Sequence, residues 1–267
     1  MSGLEPRQPS QYGKANVRVY STLQALGKAA AERAARIIQD AVQARGHARV
    51  IAATGNSQLP LAAELVEQPV DWSAVDLFHM DEYIALAENH PSSFRYWIRT
   101  RLADKVHPRR THYLNGNAAD LDREIKRYTE LLLAEPVDLA FVGFGENGHI
   151  AFNDPPVANF HDPATVKRIA LDDACRRQQA GEGHFPDEAS VPREAVTITC
   201  PGLFRASSWV CCVPEKRKAE AVRNALEGPI AETCPASLVR RHPDAFVYLD
   251  IESASLLSFK PEAVSEA

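Results

Sequence analysis

GFGENGHIAFNDPP, residues 143–156, follows the apolar run VDLAFV (137–142), which has the composition of a buried strand. Gly143, Gly145 and Gly148 spell G-x-G-x-x-G. In a dinucleotide fingerprint the last glycine must open a helix whose N-terminus faces a pyrophosphate. Here Pro155 and Pro156 stand seven and eight residues after Gly148 and forbid a long crossover helix. Such fingerprints also sit in the first strand–turn–helix of a fold, and this one lies past the midpoint. A nicotinamide or flavin enzyme is therefore set aside. The glycines make better sense as a tight loop at the carboxyl end of a sheet strand, where open α/β folds bind ligands. That loop delivers His149, Asn153 and Asp154, with Asn147 beside them. A histidine among small polar groups fits acid/base chemistry, and spacing alone fits a solvated turn equally well.

Working outward, ANVRVY (15–20), ARVIAA (48–53) and AVDLFH (74–79) read as strands, as do TVKRIAL, EAVTITC, SSWVCCVP and the final DAFVYLD. Between the first two lies a long amphipathic helix, expected to be capped by Ser21 and stopped at Gly46. SSFRYWIRTRLADKV, DLDREIKRYTELLLAEP (capped at Asp120), KRKAEAVRNALEG and PASLVRRHP read as further helices. Strands separated by helical segments call for a parallel sheet covered on both faces. The expectation is an α/β, Rossmann-like fold: an open, mainly parallel sheet with helices on both faces in a single domain. Its core would span about 15–252, with loose tails at 1–14 and 258–267 and a lid over 172–190.

Composition narrows the function classes. The 267 residues carry a net charge of −5, too balanced for a nucleic-acid or membrane partner. No apolar run approaches the roughly 18 residues of a membrane span, and MSGLEPRQPSQYGK lacks the apolar stretch of a secretory signal. Five cysteines, an odd count without metal-ligand spacing, read as buried free thiols of a cytoplasmic protein. The expected partner is a small molecule, with a homo-oligomer left open.

Two further polar clusters end apolar strands. ATGNSQ (53–58) offers Thr54, Gly55, Asn56 and Ser57 just before a helix, an arrangement that cradles an anion through free N–H groups and the helix dipole. A plain strand–turn–helix junction would look the same. HMDEYIAL (79–86) places Asp81 and Glu82 after a strand, where an acid could move a proton from carbon or Asp81 could cap a helix. Three such clusters at strand ends converge on one face of the sheet.

Together these stretches resemble the glucosamine-6-phosphate deaminase family, the hexosamine phosphate isomerases. ATGNSQLPL looks like its phosphate loop, FHMDEYIAL its general-base segment and GFGENGHIAFNDP its ring-opening segment. HPSSF, LNGNA, ALEG and ASLVRRHP fall in the family's order, so the resemblance spans roughly residues 17 to 250. The sister family, 6-phosphogluconolactonase, shares the fold and typically lacks the Asp-Glu-Tyr and Ala-Phe-Asn wording.

The resemblance implies roles. Asp81 matches the base that shuttles a proton between C2 and C1, and His149 the residue that opens the pyranose ring. Asn147 and Asp154 occupy the positions that orient it. Thr54, Gly55, Asn56 and Ser57 match the cradle for the 6-phosphate, and Arg176 and Lys218 align with its cationic ligands, with Arg177 and Lys216 close by. The implied reaction, conversion of glucosamine 6-phosphate to fructose 6-phosphate and ammonia, uses no metal or organic cofactor. A lactonase-type hydrolase and a catalytically inactive sugar-phosphate sensor are the alternatives. Two departures stand out: Asn147 where many relatives carry Asp, and Asp154 where the family usually has Glu, a shortening of roughly 1 Å that can cost about 100-fold. Gln178 and Gln179, in the lid, are expected to cap a helix rather than to read sugar hydroxyls.

Overall fold

The computed structural model describes residues 10–258 apart from 172, 182 and 184, so most of both expected tails lies outside the described residues. In chain order the strands are β1 (Ser10–Tyr12), β2 (Ala15–Tyr20), β3 (Ala48–Ala52), β4 (Val75–His79), β5 (Asp81–Tyr83) and β6 (Arg110–His112), then β7 (Leu139–Val142), β8 (Val166–Ala170), β9 (Glu194–Ile198), β10 (Ser208–Val213) and β11 (Ala245–Asp250). The helices are α1 (Leu23–Arg45), α2 (Leu59–Leu65), α3 (Phe94–Ile98), α4 (Asp104–Val106), α5 (Leu121–Leu133), α6 (Asp173–Gly181), α7 (Cys200–Phe204) and α8 (Ala219–Glu227). A π-helical turn, Arg99–Ala103, joins α3 to α4.

Eight strands form one sheet in the order β1-β2-β11-β10-β7-β3-β4-β6. Every neighbouring pair is parallel except β1 with β2 at one edge. Every residue of β3, β4, β7 and β10 is buried, which requires helices over both faces of the sheet. The expected α/β architecture is present.

Four details differ from the sequence reading. Residues 10–12 are not tail: they pair with β2 as an antiparallel edge strand. TVKRIAL and EAVTITC do not join the main sheet, because β8 and β9 pair antiparallel with β5 in a separate three-stranded sheet. The cap of α1 is Thr22, one residue past Ser21, and its hydroxyl accepts from the Ala25 amide at 3.1 Å. The stretch read as a helix from PASLVRRHP is a 3₁₀ helix, Pro235–Arg240. The other punctuation holds: Gly46 donates its amide to Val42 O at 2.7 Å to end α1, and Asp120 accepts from the Arg123 amide at 2.9 Å to start α5.

Two hydrophobic clusters result. The larger fills the space around the main sheet, with Trp209, Tyr20, Tyr128 and Tyr248 fully buried. The smaller, built on Tyr83, Phe94, Phe152, Cys175 and Phe185, includes residues of the segment expected to be a lid.

Candidate active site

Strand order decides where the site is. β10, β7, β3 and β4 are consecutive parallel neighbours, so the segments leaving their carboxyl ends line up along one crest. The chain goes from β3 to β4 on one side and from β7 to β10 on the other, which makes β3/β7 the topological switch point where such sheets bind ligands. A cleft opens there.

One end of the cleft is built from two strand–turn–helix junctions. After β3 come Thr54, Gly55, Asn56 and Ser57, a 3₁₀ turn over Asn56–Gln58 and α2. After β10 come Glu215, a second 3₁₀ turn over Lys216–Lys218 and α8, with Arg217 and Lys218 lining the cleft. Gln58 ties the two together, its side-chain amide donating to Ser57 Oγ at 3.0 Å and to Cys212 O at 3.2 Å. Hydroxyls, turn amides and two cations facing one pocket form a site for an anion.

The Gly143–Asp154 loop supplies the histidine. The ring lies across Gly145, where a Cβ would sit 2.2 Å from the imidazole, so no larger residue leaves room for it. Gly148 has φ +83 and faces Cys234, which explains the last glycine of the motif without a nucleotide. His149 Nδ1 lies 2.8 Å from Asn147 Oδ1 and 2.9 Å from Asp154 Oδ1. The Asn147 side-chain N–H donates to Asp154 Oδ1 at 2.8 Å, so its oxygen faces the ring. Both neighbours of Nδ1 are then acceptors, Nδ1 carries the proton, and the Nε2 lone pair is the basic atom. Burial works against ionising Asp154. The His149 imidazole, the Asn147 amide and the Cys175 thiol outweigh it and hold the carboxyl below its usual range. The short Asp154 side chain therefore still reaches its partner.

Asp81 is held from the opposite side. β5 pairs with β9, Asp81 opposite Thr197 and Tyr83 opposite Ala195, so Asp81 is a strand residue and not a helix cap. Ser93 is the N-cap of α3, and the fully buried Glu82 accepts from Ser93 Oγ and the amides of Tyr83, Phe94 and Arg95 at 2.9–3.2 Å and so anchors that helix. His79 beneath it is neutral: burial and Arg95 push it down to about 3, and its Nδ1 accepts from the Leu114 amide. Asp81 lines the cleft. Burial first, then the carboxylates of Glu82 and Asp154, raise its pKa well above the usual value. The influence of Asp154 on Asp81 shows that the two loops share one electrostatic neighbourhood.

The segment expected to be a lid, 172–190, contributes two side chains to the cleft. From α6, Gln178 Oε1 accepts from the Glu146 amide at 3.2 Å and Gln179 Oε1 from Tyr83 Oη at 2.7 Å. Both glutamines line the cleft and engage other elements, so neither serves as the cap expected of it. The Tyr83 ring packs against Phe94, Phe152 and Phe185 with centroids 5.0–5.4 Å apart.

Of the residues singled out from sequence, Thr54, Gly55, Asn56, Ser57, Asp81, His149 and Lys218 line the cleft, and Asn147 and Asp154 stand behind the histidine. Arg176 does not join them. It is buried on α6, donating to Glu188 O, with its Nη1 3.6 Å from the Asp173 and 3.8 Å from the Glu188 carboxylate. Its charge is spent fastening α6 to the segment that follows it. Arg217 lines the cleft instead, itself paired with Glu215 at 2.5 Å and Glu146 at 3.4 Å, within a Lys-Arg-Lys run that gave the signal without saying which residue turns inward. Gln58 gave none. Among the described residues no group of three or more His, Cys, Asp and Glu side chains is spaced for a metal ion.

Comparison with known proteins supplies relatives for this arrangement. Residues 21–248 match the family described as glucosamine-6-phosphate isomerases/6-phosphogluconolactonase. Glucosamine-6-phosphate deaminases of Bacillus cereus (strain B4264) and Bacillus thuringiensis (strain Al Hakam) are 35% identical over 236 residues, covering 88% of this chain and 87% of theirs. The solved structure of a monomeric glucosamine-6-phosphate deaminase superposes with a TM-score of 0.82 at 31% identity, covering 90% of this chain and 99% of that one. A 6-phosphogluconolactonase from Shewanella baltica OS155 shares the fold, with a TM-score of 0.73 at 20% identity over 90% of this chain and all of its own.

Proposed function

The chain belongs to the glucosamine-6-phosphate isomerase/6-phosphogluconolactonase family, and on that premise we propose that it converts glucosamine 6-phosphate and water to fructose 6-phosphate and ammonia. One observation carries the reading. A carboxyl group and an imidazole of fixed tautomer face the same cleft, whose other end is built for an anion.

The roles follow from the chemistry. Thr54–Ser57, Arg217 and Lys218 hold the 6-phosphate and supply binding energy remote from the reacting carbons. His149 Nε2 takes the proton from O1 and returns one to the ring oxygen, which opens the ring. Asn147 and Asp154 keep the imidazole upright. Asp154 also stabilises its charge while the proton is held. Asp81 then removes the proton from C2 and delivers it to C1. The resulting C2 imine adds water and releases ammonia. A buried Asp81 resists ionisation in the empty cleft, and the cationic amine of the substrate favours the ionised form when it arrives. The lid excludes water during the proton transfers.

Lactone hydrolysis is the nearest alternative on this fold, and it gives Asp81 no carbon-bound proton to move. The 35% identity to deaminases against 20% to a lactonase favours the deaminase. Ammonia release from glucosamine 6-phosphate, followed together with deuterium uptake at C2, separates the two. Exchange that persists in Asp81→Asn would refute the role given to that residue. Five buried free thiols support a cytoplasmic protein.

A further inference from the structure

The polar side chains of the cleft divide unevenly. The cradle and its two cations face the phosphate, and Asp81 and His149 serve C1, C2 and the ring oxygen. The remaining lining groups with hydrogen-bonding side chains are Gln178 and Gln179 of α6. Gln178 is fastened to the Glu146 amide and is only half-buried. Gln179 is 6% exposed. Its oxygen takes the Tyr83 hydroxyl at 2.7 Å, and its amide nitrogen makes no hydrogen bond to the protein among the described residues.

Tyr83 is a rigid partner. It is fully buried, fixed by strand pairing opposite Ala195 and wedged among Phe94, Phe152 and Phe185. The tether therefore sets both the position and the rotation of the Gln179 amide. Its oxygen is already taken by Tyr83, so what the amide offers a ligand is its N–H donors, and a hydroxyl oxygen at that point accepts from them. The sugar hydroxyls at C3 and C4 take no part in the reaction and survive ring opening, so a group that binds one of them holds the substrate at every stage.

We infer that Gln179 is a specificity-determining residue that binds the C3 or C4 hydroxyl of the sugar, and that Tyr83 is its positioning residue. The inference rests on the sugar-phosphate reading above. A site built to hydrogen-bond a hydroxyl rejects an analogue lacking it more strongly than an apolar pocket would.

The test is calorimetric binding of 2-amino-2-deoxyglucitol 6-phosphate, which cannot isomerise because C1 is already an alcohol, together with its 3-deoxy and 4-deoxy forms. The wild-type protein should bind the parent about tenfold more tightly than one of the two deoxy forms, the loss of one hydrogen bond. In Gln179→Met, which keeps the side-chain volume, and in Gln179→Ala the ratio should collapse to within about twofold, with binding of that deoxy form unchanged. Tyr83→Phe should shrink the ratio too. Thermal melting of each variant confirms that it is folded. A wild-type ratio near one for both deoxy forms, or a ratio that persists in both Gln179 variants, overturns the inference. A ratio that persists in Tyr83→Phe overturns the positioning role. Ammonia release by the wild type reports on the reaction separately: discrimination through Gln179 with no ammonia released would sink the reaction and leave the hydroxyl contact standing.

Discussion

His149 rests on Gly145 so closely that a single methyl group would displace it. Gly145→Ala should lower kcat about 100-fold by moving the imidazole roughly 1 Å, with the melting temperature nearly unchanged. A variant with wild-type turnover would show that the ring has another seat. Asp81 poses the opposite problem, because its site suits the reaction better than it suits folding. Its pKa in the folded chain lies above the unfolded value. Its contribution to stability is therefore present below the ordinary carboxylate range and lost as pH rises through the folded pKa. Asp81→Asn should melt about 2 °C higher than wild type near neutral pH, an advantage of roughly 1 kcal/mol that vanishes in acid. The same substitution should remove activity by at least about 100-fold. In the wild type, the acid limb of kcat/KM should fall at a pH above the ordinary carboxylate range, because Asp81 must be ionised to take a proton. Melting curves and rate profiles across pH check both signs. A less stable Asp81→Asn at pH 7 would count against the raised pKa.

The elements were legible where one physical rule acted alone. Apolar runs gave the main-sheet strands from β2 onward, apart from β6, and side-chain caps gave the helix starts to within a residue. Short pieces held by distant partners were not legible. β5 is three residues long and exists because β9, more than 100 positions later, completes its ladder. Asp-Glu-Tyr carries no periodicity that could announce this. Arg49 is a similar case at the far end of β3. A charged residue in an apolar strand reads as an edge or an error, yet its buried guanidinium caps α5 by donating to the carbonyls of Leu131, Leu132 and Glu135 while stacking on Phe78. Arg49→Met should leave those carbonyls without donors and destabilise the protein by about 2–3 kcal/mol. The expected readout is a lower urea midpoint with an unchanged slope and normal turnover of the folded enzyme. An unaltered midpoint would mean that water replaces the guanidinium at no cost.

Across the whole molecule, the site was readable as three clusters converging on one face, but not in which cations line the cleft. That three strand ends form one crest follows from sheet order. That Arg176 turns toward Glu188 while Arg217 turns into the cleft depends on which face of each short helix meets its neighbour. The segment proposed as a lid rests on a separate hydrophobic cluster, so opening there is energetically distinct from the stability of the main sheet. Phe185 belongs to the smaller cluster and packs on both Tyr83 and His90. Truncating it removes contacts that hold α6 over the cleft and leaves the packing around Trp209 and Tyr248 untouched. Phe185→Ala should therefore act on closure: KM for glucosamine 6-phosphate rises about tenfold or more, because only the closed fraction binds well. The melting temperature should fall by no more than about 2 °C, since the main core sets global unfolding. Hydrogen exchange locates the effect, with amides of α6 exchanging faster in the variant and those of β10 unchanged. A large loss of melting temperature with α6 exchange unaltered would show that the two clusters unfold together, and that the lid is a fixed part of the core rather than a closing element.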